Sequence, residues 1–211
     1  MLNSFKNTIM AGIYISIGAI VYLVVPNKIV ASCLFATGIL LVLNYHNMLL
    51  TKVIPMFFAK LDYTLKDIGI AFLGNSIGCI LVGTLISFTR LSSKIEEYLV
   101  QAVDTKLNDN YISLFIMAIF CGVLVAYASL TAKKYKTGSF AQIFYVWLFI
   151  SVFVLCGFDH VVANMFYFSA YSILAGFSTK MLPVTVVVLI GNLFGGMFVG
   201  IVEKKHVKEV E

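Results

Sequence analysis

Charge is scarce in this sequence. Asp, Glu, Lys and Arg make up 12% of its 211 residues, about half the share of an ordinary soluble domain. Proline is nearly missing: 3 residues leave long apolar runs unbroken. The four cysteines, Cys33, Cys79, Cys121 and Cys156, sit inside such runs without CxxC spacing. They read as small buried hydrophobes, which excludes a disulfide scaffold and a thiolate metal or redox centre. No HExxH, P-loop, nucleophile elbow or GxGxxG is placed to do chemistry, so no catalytic residue, cofactor or metal is expected. What is there is apolar: 61% hydrophobic residues and a mean hydropathy of +0.98. This is the composition of an integral membrane protein whose surroundings are the lipid bilayer. The net charge of +5 reads as asymmetry between loops, not as a surface for nucleic acid. The apolar run from Thr8 to Val25 has no small-x-small cleavage pattern after it and reads as a first span.

Charges and turn residues divide the chain into apolar blocks 8–25, 29–59, 68–89, 111–132, 139–177 and 181–202. Four have the length of one span. The second carries Asn44, His46 and Asn47 in its middle, and the fifth carries Gly157, Asp159 and His160. A hairpin at Asn44–Asn47 would leave Met48–Ala59 as the return span, about 18 Å of helix against a core of about 30 Å. Charge bias agrees. Six spans with both termini cytoplasmic put nine lysines inside and five cations outside, with Lys52 uncounted, whereas eight spans level the two sides at seven each. The expectation is six transmembrane helices in the cell membrane, with helices 2 and 5 broken.

Leu73–Gly83 (LGNSIGCILVG) and Ile190–Gly200 (IGNLFGGMFVG) share Gly-Asn, a second Gly and Val-Gly in register. They fall on the third and sixth spans. The chain therefore reads as one transmembrane channel domain over 1–211 made of two inverted three-helix repeats, about 1–90 and 107–202, in an aquaporin-like all-α arrangement. Gly74 and Gly78, like Gly191 and Gly195, are four apart, which puts each pair on one helix face for close packing.

The polar groups inside the apolar blocks are few. Asp159 is the only carboxylate there; it is expected to cap the half-helix that follows. His160, beside it, is expected to face the pore, since imidazole binds or exchanges protons near neutral pH. In the linking segment 91–106, Ile95, Tyr98, Leu99, Ala102 and Val103 follow helical periodicity, and Lys106 returns on the same face. That lysine either faces the apolar stripe or snorkels from the helix end. Thr51 offers a hydroxyl to an anion beside the first break. Lys52 is a second cationic site, a partner for Asp159, or a residue at the inner mouth.

These residues resemble a known family. Gly157-Phe158-Asp159-His160-Val161-Val162-Ala163-Asn164-Met165 is similar to the fifth-helix signature of the formate/nitrite transporters, G-F-[DE]-H-x-x-A-N-M. Leu49-Leu50-Thr51 resembles the family's L-F-T at its second-helix break, the omega loop. Cys121-Gly122-Val123-Leu124-Val125 resembles C-N-x-x-V of the fourth helix, and Asn192-x-x-Gly195-Gly196 the sixth-helix signature. Lys106 stands where the family carries a vestibule lysine. The resemblance implies a homopentamer with a pore through each protomer, passing small monovalent anions such as formate, nitrite, hydrosulfide and short carboxylates. It also implies a polar trio of Thr51, Lys106 and His160, constrictions at Phe35, Ile39, Leu50 and Phe153, and support of the broken helix by Asp159 and Asn164. The chain departs from the pattern at Met48, where the family has an acid, at Lys52, where it has Gly or Ser, and at Gly122, where it has Asn.

Three rival classes share some of these features. A neutral-solute facilitator of aquaporin type would also have six spans, but the paired NPA motifs are missing. A haem-binding subunit would need His46 and His160. A non-conducting assembly or sensor protein would fit the unusual omega loop.

Overall fold

The computed structural model describes residues 2–208; the extreme ends expected on the cytoplasmic side, Met1 and residues 209–211, lie outside the described residues. Among the described residues all regular structure is helical. The long helices are α1 (Leu2–Val24), α4 (Leu65–Ser87), α6 (Tyr111–Lys134) and α9 (Met181–Val202). Each has at least 22 residues, about 33 Å at 1.5 Å per residue, and all four are long and apolar enough to cross a bilayer. The shorter ones are α2 (Lys28–Asn44), α3 (Leu50–Phe58), α5 (Ser92–Leu107), α7 (Phe140–Leu155), α8 (Val161–Leu174) and α10 (Lys204–Lys208).

Local chemistry sets the helix ends. Asn27 starts α2 by accepting from the Ile29 and Val30 amides, both at 3.1 Å. Asn110 starts α6 through the Ser113 amide at 2.8 Å, and Thr64 with Asp67 forms a capping box on α4. Between α2 and α3, and between α7 and α8, the chain leaves the helical path for a few residues. The first linker turns at His46 (φ 54°) and the second at Gly157 (φ 70°). Only glycine adopts that left-handed geometry without strain, so the second linker is made cheaply and the first at a cost of order 1 kcal/mol.

The long helices pack in two pairs, α1 on α4 and α6 on α9. A Cβ at Gly12 or Gly78 would come closer than 3.0 Å to α4 or α1 backbone atoms, and one at Gly122 or Gly195 would do the same between α6 and α9. Gly122 is therefore a site of backbone approach, with the Asn192 carbonyl 2.6 Å from where its Cβ would stand. Gly12 plays the same part against Asn75. The short helices cross over: α8 rests on α4, α3 rests on α9, and α2 meets α7 at the centre. Outward faces remain apolar, with Leu73, Ile77 and Ile80 on α4 and Phe194, Phe198 and Ile201 on α9 exposed. Of the cysteines expected to be buried, Cys79 and Cys121 are, Cys33 is half-buried, and Cys156 is exposed because α7 ends just before it.

The segment expected to be amphipathic is α5. Ile95, Leu99, Val103 and Leu107 are buried on its inward face, and it lies against α8 and α1. Lys28 Nζ sits 4.2 Å from the Tyr98 ring centre and 4.5 Å from that of Tyr22, which ties α5 to the start of α2. At the other end of α6, Lys133 pairs with Asp62 at 2.8 Å. The bundle thus has an α5 end and an opposite end around Asp62 and Lys133.

Candidate functional site

Two buried asparagines hold the two linkers by the same pattern. Asn75 Oδ1 accepts from the Leu50 amide at 2.8 Å, while its Nδ2 donates to the Met48 carbonyl at 3.0 Å and to the Thr8 carbonyl at 2.7 Å. Asn192 Oδ1 accepts from the Val161 amide at 2.9 Å, while its Nδ2 donates to the Asp159 and Ala118 carbonyls, both at 2.8 Å. Each satisfies the first amide of a short helix and a linker carbonyl that would otherwise be orphaned in an apolar interior. The Leu73–Gly83 and Ile190–Gly200 repeat aligns these asparagines but does not by itself assign them this job. The Gly-Asn pairing in both halves was the available signal.

The side chains expected to form the site mostly meet. Thr51 Oγ1 lies 2.9 Å from His160 Nε2, so the second residue of α3 touches the residue just before α8. Both are buried. His160 is also the N-cap of α8: its Nδ1 accepts from the Ala163 amide at 3.2 Å. With that lone pair engaged, the neutral ring carries its proton on Nε2 and donates to Thr51 Oγ1.

The expectation that Asp159 caps the half-helix is corrected. The residue immediately before the first helical residue is the one whose side chain reaches the second and third amides. That is His160; Asp159 lies one residue too early. Its carboxylate instead pairs with Lys106 Nζ and accepts from Asn164 Nδ2 at 3.2 Å. Lys106 therefore points inward from α5, along its apolar stripe. Lys52 does not meet Asp159. Its Nζ donates to the Asn47 carbonyl at 2.9 Å, and it faces the opposite end of the bundle.

A cavity of about 350 Å³ opens at the α5 end, with Lys106, Asp159, His160, Asn164, Phe35 and Phe153 on its walls. A second, of about 500 Å³, opens at the opposite end and is walled by Leu43, Lys52 and Lys133 among others. Phe35, Ile39 and Leu43 are successive turns of α2. Phe35 belongs to the first cavity and Leu43 to the second, so buried Ile39 lies between them and lines neither. Leu50 is fully buried and also lines neither. Phe35 and Phe153 meet edge to face with ring centres 5.8 Å apart, and Phe153 is 5.9 Å from the His160 ring. His46, turned to the second cavity, is remote from His160 in the first.

A family model described as formate/nitrite transporter matches residues 1–203. Among curated proteins, the chain is 40% identical over 134 residues to "Formate channel BtFdhC" of Bacillus thuringiensis, covering 60% of this chain and 50% of that protein. It is 31% identical over 137 residues to "Uncharacterized transporter YwcJ" of Bacillus subtilis (strain 168), covering 60% of this chain and 52% of that protein. The matched region thus spans about half the length of these two relatives. Among solved structures, "Pentameric formate channel with formate bound" superposes with a TM-score of 0.79 at 22% identity, covering 94% of both chains, a likeness of fold.

Proposed function

The chain belongs to the formate/nitrite transporter family, and from that premise we propose that it passes small monovalent anions of weak acids, formate, nitrite or hydrosulfide, through a pore in each protomer of a homopentamer. It is an integral membrane protein of a family of channels and transporters. In this reading it lies in the cell membrane with both termini cytoplasmic. The chain is a single channel domain of two inverted repeats, about 1–90 and 107–202, joined by 91–106. Helix pairs α2/α3 and α7/α8 are its interrupted spans. The matched roles of Asn75 and Asn192, and of Gly12 and Gly122, support that symmetry.

The observation that carries the function is the contact of His160, on the wall of the α5-end cavity beside Phe35 and Phe153, with Thr51, which is buried behind it and lines neither cavity. A bare anion crossing Phe35, Ile39, Leu50 and Phe153 would lose its hydration at large cost. The weak-acid anion enters the first cavity, drawn by the positive end of α8 and met by the N–H donors that Lys106 keeps beyond its pair with Asp159. His160 Nε2–H donates to Thr51 Oγ1, which leaves the threonine hydroxyl proton to donate to an anion or water that passes beyond the first cavity. A proton taken from cavity water joins the anion, the neutral acid crosses the apolar ring, and the proton leaves again on the far side. One proton and one anion move together.

The test is flux in proteoliposomes with formate, nitrite, hydrosulfide and chloride across a pH series. Weak-acid flux that rises as pH falls, with chloride retained, is the expected result. His160→Asn lowers that flux and alters its pH dependence; if both stay unchanged, the histidine has no part in the mechanism.

A further inference from the structure

The two cavities differ in charge. The α5-end cavity is lined by two lysines, Lys28 and Lys106, and two carboxylates, Asp109 and Asp159. The second cavity is lined by four lysines, Lys52, Lys133, Lys134 and Lys136, and one carboxylate, Asp62. Asp62 is already engaged by Lys133. The deepest of the four is Lys52, only 5% exposed. The Asn47 carbonyl takes one of its three N–H donors, and no carboxylate pairs with it among the described residues. Lys106, by contrast, is neutralised by Asp159.

A buried ammonium without a counter-charge is costly, and the cost falls when an anion from solution reaches it. The cavity provides the route. Lys134 and Lys136, exposed at its rim, raise the local anion concentration but are screened by salt. Lys52 is shielded from that screening and has donors left to bind. One buried positive charge matches one negative charge, so the site suits a monovalent anion over a phosphate or a polyanion.

We propose that the second cavity is an anion-binding site with Lys52 as its ligand, taking one small monovalent anion of the formate class. This deepens the conduction reading above and rests on it for the anion's identity. The site loads anions from the end of the pore opposite α5, so the two directions of transport begin from different charge environments.

The test uses the full-length chain in detergent as wild type, Lys52→Arg, Lys52→Ser and Lys52→Met, with Lys94→Met, an exposed lysine of α5, as control. Broadening of the chloride NMR line, and its reversal by added sodium formate, reads anion occupancy without any transport. Lys52→Arg and Lys94→Met keep the formate-reversible broadening, while Lys52→Ser and Lys52→Met reduce it at least threefold. If Lys52→Met fails to fold, Lys52→Ser against Lys52→Arg decides. Equal broadening in wild type and in the folded uncharged variants overturns the proposal. Lys52-dependent binding in a wild type that shows no weak-acid flux would instead sink the conduction reading and leave the site standing.

Discussion

Replacing Asn75 or Asn192 should be among the most costly single changes in this protein, and equally so at the two positions. In Asn75→Ala the Thr8 carbonyl lies within α1, where the helix's own hydrogen bonds satisfy it. The Leu50 amide and the Met48 carbonyl are not so placed: one is the first amide of α3 and the other lies in the linker. Two buried backbone groups are orphaned, each at about 1–3 kcal/mol, for a loss of about 2–6 kcal/mol. Asn192→Ala orphans the Val161 amide and the Asp159 carbonyl in the same way, and the same range follows. An ordinary side-chain hydrogen bond between membrane helices is worth only about 0.6 kcal/mol, so the two accounts separate cleanly. Reversible unfolding in mixed micelles, titrated with SDS and followed by circular dichroism, gives the number. Limited proteolysis at linkers 45–49 and 156–160 shows whether the loosened end is the expected one. Losses below about 0.6 kcal/mol, or a large loss at one asparagine and none at the other, would refute the idea that each pins a linker.

Three further outcomes follow from the packing and the site. Gly78→Val and Gly195→Val each force a long-helix pair apart and should destabilise by about 1–3 kcal/mol or more, whereas Gly69→Ala, with nothing within 4 Å of the added methyl, should stabilise by about 0.5–1 kcal/mol; thermal unfolding of the variants checks both signs. Asp159→Asn leaves Lys106 without its charged partner and should cost about 2 kcal/mol, below the usual figure for a broken buried pair because the lysine still borders a cavity; the double variant Lys106→Met with Asp159→Asn, which keeps an acceptor for Asn164 Nδ2, should recover most of it, as a double-mutant cycle would show. Phe153→Ala opens the edge-to-face aromatic contact with Phe35 and should raise formate flux while admitting chloride, measured side by side in vesicles.

Much of this arrangement was legible from residue order because periodicity and repetition are local signals. The i, i+4, i+8 spacing of Ile95, Leu99 and Val103 is enough to aim α5 at the bundle, while the same spacing leaves Lys106 either on the apolar stripe or snorkelling from the helix end. The recurrence of Gly-Asn and Gly in LGNSIGCILVG and IGNLFGGMFVG marks the two helices whose asparagines reach the linkers. The partner choices of the polar residues were not legible. Asp159 and His160 are neighbours, both able to cap, and the outcome depends on where the helix begins to the nearest residue. Lys52 faces away from Asp159 because α3 approaches the centre from the opposite end, a fact of tertiary placement that adjacency to Thr51 conceals. Gly122 looks like a missing asparagine in one dimension; in three it is the gap that lets Asn192 sit against α6.

The long helices touch through bare backbone at their glycines, with no flexible side chains in between to take up slack. Such contacts act as fixed staves: sliding one past the other would trade a carbonyl-to-Cα fit for a collision within a fraction of a turn. The half-length pieces α3 and α8 are set between these staves: Gly200 of α9 meets the Pro55 carbonyl of α3 and Gly83 of α4 meets Ala170 of α8, so the tips that carry Thr51 and His160 are brought together by the same tight fit.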